Sequence, residues 1–292
     1  MHNFKSKLVL GSANFGLGYG IKNKDGRLAG GELLNILNLA KSAGICTIDT
    51  AQAYGDSEQR LGSLHKHEFQ LITKIGAGLD ASFGKNKINS LVRESLDRLS
   101  LDRLYAVLLH RTELLLGPDG TKIASELNAL KELGIVEKIG VSIYSPDILG
   151  EVSGLLKLDI VQLPFNVFDQ RIVKSGWSER LKEMGTEIHT RSTFLQGLLL
   201  MKQSELPRYF SKNWTALFDE WFDFQEESGA QADEIALDFA LQQSWIDKIV
   251  VGIDSALQLD RLLQIEANDR CNSLPYFDVN DIDLIDPSRW RI

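Results

Sequence analysis

The chain has few cysteines, no long hydrophobic run and no cluster of basic residues, and each shortage excludes a class of protein. Only Cys46 and Cys271 occur in 292 residues. Neither has the neighbours of a zinc or redox motif, so we expect reduced thiols and no metal site. The apolar stretch before Gly11 is too short for a signal peptide or a membrane span. The expected location is the cytoplasm, away from membranes.

The charge balance is acidic. The chain has 40 acidic against 32 basic residues, which gives a net charge of -8 at pH 7. Nucleic acids and anionic membranes attract basic surfaces, so neither is an expected partner. A small molecule is the expected partner, and the sequence leaves the oligomeric state open.

Length and patterning favour one α/β domain over residues 1–292. Short apolar runs of β character alternate with longer stretches of helical period, which is typical of βα units around a parallel sheet. Eight such pairs favour a closed (β/α)8 TIM barrel, although periodicity alone also allows a doubly wound sheet. The predicted strands are Leu8–Ala13, Ile45–Thr50, Gln70–Lys74, Leu104–His110, Lys138–Ser142, Ile160–Pro164, Glu187–Ser192 and Lys248–Gly252.

Glycines separate some of these helices and strands, and one long segment interrupts the regular alternation. Gly44 and Gly134 stand between a predicted helix and the next strand, where glycine can end a helix in the left-handed conformation. Between the seventh strand and its helix, a longer segment from Phe194 to Gln231 carries Trp214, Trp221 and several phenylalanines. A segment of this length either caps a site or holds extra helices with an aromatic inner face.

Four polar residues stand at or just after the ends of predicted strands. Asp49 lies at the end of the second strand, and Tyr54 follows five residues later. Lys74 ends the third strand and His110 the fourth. Alone, each has an ordinary explanation: a turn acceptor, a packed ring, a surface lysine and a hydrogen-bonded core histidine. In a barrel the carboxyl ends of adjacent strands meet at one face, so the four would lie together.

Together these residue types make a tyrosine a usable proton donor. A free tyrosine, with a pKa of about 10, donates poorly at neutral pH. A neighbouring ammonium favours the phenolate, and a buried lysine needs a carboxylate partner, so Asp49 is the expected partner of Lys74. Neutral His110 could orient a carbonyl oxygen by a hydrogen bond. The predicted catalytic residues are Asp49, Tyr54, Lys74 and His110.

At these residues the sequence resembles the aldo-keto reductase family, whose Asp-Tyr-Lys-His tetrad has this order and strand placement. The most specific stretch is the D-T-x-x-x-Y-G-x-S-E pattern around Tyr54. The resemblance implies an NAD(P)(H)-dependent oxidoreductase that transfers a hydride between nicotinamide and a carbonyl or alcohol, with Tyr54 as general acid/base. Other matching segments are LVLGSANFG, LITK, YAVLLH, KIGVSIYSP, VQLPFNVFD, RSTFLQGLL and IVVGIDSALQL.

The resemblance also implies a cofactor that lies extended over the barrel mouth, with its pyrophosphate held by helix N-termini and backbone amides. The nicotinamide would reach the fifth and sixth strands, and the adenosine end would reach the loop and helix after the eighth. A Rossmann fingerprint is not needed there, and the glycine-rich stretch Gly16–Gly20 is not one. The implied cofactor-binding residues are Gly11, Ser12, Ser142, Gln162, Arg191, Gly252, Asp254, Ser255 and Gln258.

Three positions depart from the family pattern. Ile143 stands where many relatives have an asparagine that binds the carboxamide, so one contact is lost. Arg191 stands where an aromatic ring stacks on nicotinamide, and a planar guanidinium can stack too. The loop after the eighth strand lacks the basic residues that contact a 2′-phosphate. Because Asp254 there can accept a hydrogen bond from the free ribose hydroxyl, the expected cofactor is NAD(P)H, with NADH used at least as well as NADPH.

Residues near the mouth are the expected walls of a substrate pocket, and they suit an aldehyde or a sugar-like carbonyl equally. One alternative function is a regulatory protein that keeps the barrel and binds nucleotide without turnover, since a fold does not guarantee chemistry. A phosphate-using barrel isomerase is a third hypothesis, but it leaves the D-T-x-x-x-Y pattern unexplained. The predicted wall residues are Phe15, Tyr19, Arg111 and Trp290.

Overall fold

Eight short apolar runs pair as parallel strands in sequence order, and β8 pairs back to β1, which closes the barrel. The computed structural model describes residues 4–21, 23, 26–64, 68–79, 86–265, 274–277 and 279–291. Closure confirms the predicted (β/α)8 TIM barrel and excludes a doubly wound sheet, which would leave two unpaired edges. The strands are β1 (Leu8–Gly11), β2 (Thr47–Asp49), β3 (Gln70–Ile75), β4 (Leu104–Leu109), β5 (Val136–Ser142), β6 (Ile160–Pro164), β7 (Glu187–Arg191) and β8 (Lys248–Gly252).

All eight predicted strands are present, but several end earlier than predicted. The first was predicted to run to Ala13, whereas Ser12 leaves the extended conformation at φ -106° and ψ 16°, and Ala13 begins a helix. The seventh was predicted to run to Ser192, which has a φ of +63° and cannot continue a strand. These ends are set by backbone turns, which apolar periodicity does not report.

The helices between the strands bury one apolar face each against the sheet. In α4, for example, Ile88, Val92 and Leu96 recur four residues apart and are buried. Gly44 and Gly134, with φ of +83° and +70°, follow α2 and α5 as predicted. The helices are α1 (Ala13–Gly16), α2 (Gly30–Ser42), α3 (Ser57–Leu64), α4 (Lys87–Leu99), α5 (Gly120–Glu132), α6 (Leu149–Leu155), α7 (Arg171–Lys174), α8 (Trp177–Glu183), α9 (Arg208–Asn213), α10 (Thr215–Ser228), α11 (Ala232–Leu241), α12 (Ala256–Leu263) and α13 (Ile282–Ile285).

The core has a large outer layer and a small inner one. The outer layer lies between strands and helices and contains most of the buried leucines, isoleucines and valines. Among the described residues, a separate apolar cluster inside the barrel consists of Ile72, Ala106, Leu108 and Ile160, with the partly buried Tyr105 packed against it. Above this plug, polar side chains occupy the interior at the carboxyl ends of the strands. This apolar cluster therefore separates those polar side chains from the amino-terminal end of the barrel.

The long segment after β7 holds the extra helices α9 and α10. Helix α10 buries Phe218, Trp221 and Phe224 in a second hydrophobic cluster. In that cluster the ring of Phe168 lies 5.1 Å from the ring of Phe277, nearly at right angles to it. The prediction of extra helices with an aromatic inner face is confirmed, and the start of the segment also lines the cavity described below.

No helix in the described part of the chain is long and apolar enough to cross a membrane. Within the same residues, no group of three or more histidine, cysteine or acidic side chains is arranged to hold a metal ion. Cys46 is a free, exposed thiol, and Cys271 lies outside the described residues.

Candidate active site

A cavity of about 350 Å³ opens at the carboxyl ends of the strands. Gly11, Asp49, Arg191 and Gly252, which end β1, β2, β7 and β8, contribute to its wall. The loop after β7 supplies another side of the wall. This is the barrel face at which the sequence predicted the chemistry, and a cavity of this size admits a small organic molecule.

A buried ion pair forms the base of the site. The Lys74 ammonium donates to Asp49 Oδ1, and the side chains are only 1% and 3% exposed. Lys74 also donates to the Thr50 carbonyl oxygen, 3.1 Å away. Burial alone lowers the pKa of Lys74, but Asp49 and, more weakly, Tyr54 oppose burial through charge and hydrogen bonding, and the net direction is upward. The lysine therefore stays protonated despite its burial.

The carboxylate of Asp49 also accepts a hydrogen bond from the side-chain amide of Gln162. Gln162 Nε2 on β6 donates to Asp49 Oδ2 at 2.8 Å, and Ser142 Oγ on β5 donates to Gln162 Oε1 at 3.3 Å. All three side chains are buried. Ser142 and Gln162, predicted to meet the nicotinamide, thus also form a chain of hydrogen bonds that leads to Asp49. Sequence reasoning did not anticipate this contact, which joins residues 113 positions apart.

Tyr54 and His110 lie above the ion pair. The Lys74 nitrogen is 5.0 Å from the centroid of the Tyr54 ring, and the Tyr54 and His110 rings are 6.1 Å apart and nearly perpendicular. Burial, together with the positive charges of Lys74 and Arg191, lowers the pKa of His110 to about 4. His110 Nδ1 is buried without a hydrogen-bond partner. A neutral imidazole with an unused nitrogen can bind a carbonyl oxygen.

The turn that carries Tyr54 packs backbone to backbone against α1. A Cβ built on Gly16 would lie 1.9 Å from the Tyr54 carbonyl oxygen, and one on Gly55 would lie 2.5 Å from the Gly16 carbonyl oxygen. Gly55 also has a φ of +57°. The turn is closed by the Tyr54 amide, which donates to the Ala51 carbonyl at 3.0 Å. Only glycine fits at these two positions, so the backbone of Tyr54 is rigidly located.

The end of β8 forms a polar rim on the other side of the cavity. The Asp254 amide donates to Gln258 Oε1 at 2.6 Å, and Ser255 caps α12 by accepting from the Gln258 amide at 3.1 Å. Asn14 Nδ2 donates to the Ile253 carbonyl and to Asp254 Oδ1, the latter at 3.0 Å. Sequence reasoning missed Asn14, although a polar residue three positions after Gly11 was a signal that could have found it.

Arg191 lines the cavity between these two regions. Its guanidinium carbon lies 4.5 Å from the centroid of the Tyr144 ring. Nη1 donates to Ser192 Oγ at 3.2 Å and Nη2 donates to the Ile143 carbonyl at 3.1 Å. One face of the guanidinium is therefore already occupied by an aromatic ring of the protein, and its stacking on nicotinamide stays a prediction.

The structure brings most of the predicted cofactor residues together but separates the predicted substrate walls. Tyr19 is 43% exposed and lines the cavity. Phe15 is fully buried in the outer core because α1 turns its ring inward. Trp290 packs on Phe210 and donates to the Leu284 carbonyl. Arg111 donates to the Leu79 carbonyl at 2.6 Å. Of the four, the cavity wall includes Tyr19 alone.

Two cavity-lining residues have buried polar atoms with no partner, which suits a polar ligand. They are Asn14 Oδ1 and Thr193 Oγ1. Beside Thr193, Leu195, Gln196 and Gly197 all have positive φ, of 47°, 53° and 90°. Such a conformation is strained for residues other than glycine and tends to occur where a ligand is bound. The residues present fit a polar cofactor that carries hydrogen-bonding groups, such as a nicotinamide dinucleotide.

The closed parallel barrel and the polar cluster at the carboxyl ends of its strands define a (β/α)8-barrel protein with a candidate site at that end. The sequence model of the Aldo/keto reductase family matches residues 7–284, and the chain belongs to this family. Members of this family are NAD(P)H-dependent oxidoreductases, and this chain is an enzyme of that kind.

Named relatives and solved structures agree with this assignment. The chain is 25% identical over 249 residues to D-arabinose 1-dehydrogenase of Saccharomyces cerevisiae, covering 78% of this chain and 74% of the relative. It is 28% identical over 292 residues to D-threo-aldose 1-dehydrogenase of a Pseudomonas species, covering 83% and 86%. The holo form of an aldo-keto reductase from Bacillus halodurans has the same fold, with a TM-score of 0.74 at 19% identity over 97% of this chain and 95% of that one.

Proposed function

We propose that the chain transfers a hydride between NAD(P)(H) and a small carbonyl or alcohol, with Tyr54 donating or accepting the proton. One observation carries the proposal: a buried, ion-paired ammonium lies 5.0 Å from the ring of a cavity-lining tyrosine. A permanent positive charge there favours the phenolate and so lowers the barrier to proton release. Asp49 keeps the lysine charged, and Gln162 keeps Asp49 in position.

The charges and positions of His110, Tyr54 and Lys74 suggest their roles in the reaction. His110, neutral at physiological pH because its pKa is about 4, donates a hydrogen bond to the substrate oxygen from one ring nitrogen. In the reducing direction Tyr54 gives its proton to that oxygen while Lys74 stabilises the phenolate left behind. In the oxidising direction the phenolate removes the alcohol proton. When bound, the nicotinamide supplies or accepts the hydride.

Backbone and side-chain groups around the cavity would hold the cofactor. Thr193 and the amides of the strained loop after β7 suit the pyrophosphate, and Ser142 and Gln162 suit the carboxamide. Asp254, Ser255 and Gln258 suit the adenosine end. Gly11, Ser12 and Gly252 complete the set of proposed contacts.

The named relatives favour a sugar or polyol as substrate. D-arabinose 1-dehydrogenase and D-threo-aldose 1-dehydrogenase act on aldoses by their names, and a structural neighbour from Gluconobacter oxydans is a glycerol dehydrogenase. We propose that the substrate of this chain is a sugar-like aldehyde or its alcohol. The test is consumption of NADH with a panel of aldehydes, and of NAD with a panel of aldoses. Absence of turnover across both panels, with cofactor still bound, would favour the nucleotide-binding regulatory alternative.

We further propose that NADH is used at least as well as NADPH. A 2′-phosphate needs cations, and each charge-assisted contact is worth roughly 1.5–3 kcal/mol. The rim at β8 instead carries Asp254, and the nearby Arg261 is ion-paired with Asp233 at 2.7 Å. A carboxylate repels a phosphate and accepts a hydrogen bond from a free ribose hydroxyl.

Steady-state kinetics with both reduced cofactors test this preference. We expect Asp254→Asn to improve NADPH relative to NADH several-fold, because it removes the repelling charge. Asp260→Asn is the matched control, since Asp260 lies on α12 and accepts from Gln264 on the exposed surface. A catalytic efficiency more than about tenfold higher with NADPH in the unmodified chain, equal to about 1.4 kcal/mol, would contradict the proposal.

A further inference from the structure

One cation that lines the cavity has no carboxylate partner among the described residues. Other partly buried arginines lie against carboxylates, as Arg98 does with Glu58 and Arg171 with Asp169. Arg60, which does not line the cavity, donates to two backbone carbonyls instead. Among the described residues, Arg191 forms no ion pair, and its two hydrogen bonds go to neutral oxygens. A guanidinium has five N–H donors, so three of its donors have no acceptor in this part of the protein.

The guanidinium is also held in one orientation. Tyr144 supports one face at 4.5 Å, and the hydrogen bonds to Ser192 and Ile143 fix two of its nitrogens. Ser192 itself has a φ of +63°, a conformation that non-glycine residues seldom adopt. A fixed, planar fork of donors loses little entropy on binding and matches the two oxygens of a carboxylate or phosphate.

Charges around the cavity make its inner end positive. Lys74 and Asp49 neutralise each other in a contact ion pair, which leaves Arg191 as the unbalanced charge near Tyr54. Arg191 contributes to the low pKa of His110, so its charge is felt where the substrate oxygen would bind. Asp254 is on the opposite rim, tied to Asn14. In a chain with a net charge of -8, this local sign favours an anionic group inside the cavity.

We propose that Arg191 binds an oxyanion, a carboxylate or a phosphate, carried by the carbonyl substrate itself. The inference rests on the proposed reduction at Tyr54 and narrows its substrates to acidic or phosphorylated carbonyl compounds. Tyr144 acts as the support of the guanidinium. Arg191 is then the residue that selects for charge, while Tyr54 and His110 act on the carbonyl.

Matched pairs of aldehydes test the proposal in the full-length enzyme with NADH. The first pair is 4-carboxybenzaldehyde and 4-nitrobenzaldehyde, and the second is glyceraldehyde 3-phosphate and glyceraldehyde. We expect Arg191→Met to raise the KM for the anionic member about 10- to 100-fold, as loss of a charge-assisted contact does. The KM for the neutral member and the Kd for NADH should change by less than about twofold. The pair with the larger discrimination identifies the oxyanion.

Arg180→Met is the matched control, because Arg180 also stacks on an aromatic ring, 5.3 Å from Trp177, but lies on α8 away from the cavity. It should leave every constant unchanged. Arg191→Lys should recover part of the selectivity, since it restores the charge without the fork. Equal effects on charged and neutral aldehydes, or a weaker Kd for NADH in proportion, would overturn the proposal and assign Arg191 to the cofactor.

Calorimetry separates failure of this inference from failure of the proposed function. The probe is 4-carboxybenzyl alcohol, titrated into enzyme with NADH, a mixture in which no hydride transfer can occur. We expect binding that is lost in Arg191→Met and absent for 4-nitrobenzyl alcohol. Binding of this kind would support the oxyanion site even in a chain without turnover. Equal binding by both alcohols would refute the site even in an active enzyme.

Discussion

Two clusters inside the barrel contain the same four kinds of residue, yet they differ in which members are buried and which line a cavity. Asp49 and Tyr54 line the cavity at the carboxyl ends of the strands, and Tyr105 lines a groove at the other end. Each has a lysine paired with a carboxylate, a tyrosine whose ring lies near the ammonium, and a histidine. The cavity cluster lies at the carboxyl ends of the strands, and the floor cluster lies near their amino ends. The cavity cluster is Asp49, Tyr54, Lys74 and His110; the floor cluster is Tyr105, Lys138, Glu187 and His189.

Burial differs between the clusters in a consistent way. In the cavity cluster the ion pair is buried, at 1% and 3% exposure, and the histidine is only partly so. In the floor cluster Lys138 and Glu187 are 24% and 32% exposed, and His189 is fully buried. The cavity cluster thus buries its charged side chains and leaves its tyrosine and histidine partly exposed. Residue types alone therefore do not define a site.

The tyrosine hydroxyls differ as well. The Tyr105 hydroxyl accepts from Lys138 Nζ at 2.6 Å and donates to Glu187 Oε2 at 3.4 Å, so its proton is directed at a carboxylate of the protein. Hydrogen bonds from His189 and Lys138, and the charge of Lys138, lower the pKa of Glu187 to about 2. The floor cluster is a polar network that is hydrogen-bonded within the protein, although His189 Nδ1 is buried without a partner among the described residues.

The largest expected difference between the clusters is in turnover. Tyr54→Phe should lower kcat about 10²- to 10⁴-fold, because it removes the general acid. The Kd for cofactor should stay nearly constant. Tyr105→Phe, the matched change in the floor cluster, should leave kcat within about twofold and cost about 1 kcal/mol of stability. Activity of Tyr54→Phe within tenfold of the unmodified chain would contradict the role of Tyr54.

Replacement of the lysine in each cluster should lower the free energy of unfolding by different amounts. Lys74→Met leaves Asp49 as an unpaired buried charge and should cost about 3–5 kcal/mol in the free energy of unfolding. Lys138→Met involves a half-exposed pair and should cost about 1 kcal/mol or less. Urea unfolding measures both. If Lys74→Met does not fold, the double variant with Asp49→Asn should restore folding without activity, and equal losses at the two lysines would contradict the comparison.

Acid should lower the free energy of unfolding through each cluster in a different pH range. These effects should be smaller than those of the tyrosine and lysine substitutions. The pKa of His110 is about 4 in the folded chain against about 6.5 unfolded, so the unfolded state binds its proton first and stability falls as pH drops from 6.5 to 4. At pH 5 this amounts to about 1–2 kcal/mol, which His110→Gln should remove.

The floor cluster responds at lower pH. Since the pKa of Glu187 is lowered to about 2, its contribution is fully present above about pH 4.5 and is lost as pH falls toward 2. Glu187→Gln should therefore flatten the stability profile below pH 4.5 and leave its slope between pH 7 and 5 unchanged. Urea unfolding at pH 7, 5 and 3.5 distinguishes the two variants, and a common window for both would contradict the assignment.

Much of the fold could be predicted because apolar periodicity reports which residues a strand buries. All eight strands were predicted, and β6 and β8 with their observed bounds. The ends of β1 and β7 were not, because Ser12 and Ser192 adopt turn conformations that their residue type does not announce. The presence of eight predicted strand–helix pairs favoured a closed barrel. Only the observed pairing of β8 with β1 established that the barrel is closed.

The candidate site could be predicted where it depends on strand ends and not where it depends on side-chain orientation. Asp49 ends β2 and Lys74 lies one residue before the end of the adjacent strand β3, so their pairing followed from topology. The stacking of Arg191 on Tyr144 joins the end of β7 to the loop after β5, and the sequence does not give the conformation of that loop. Phe15 was assigned to the wall although α1 turns its ring into the core, since its burial depends on where β1 ends.

The contact between Gly16 and Gly55 bears on how this scaffold can evolve. Two backbone segments are in contact there, with no room for a methyl group. Neither glycine can therefore be replaced by another residue. Single substitutions at these positions cannot give the loop that carries Tyr54 a new conformation. Adaptation to new substrates is therefore confined to the facing wall, where Tyr19, Arg191 and the segment after β7 contribute side chains to the cavity. In a library of active variants, diversity should accumulate on that wall while both glycines remain invariant.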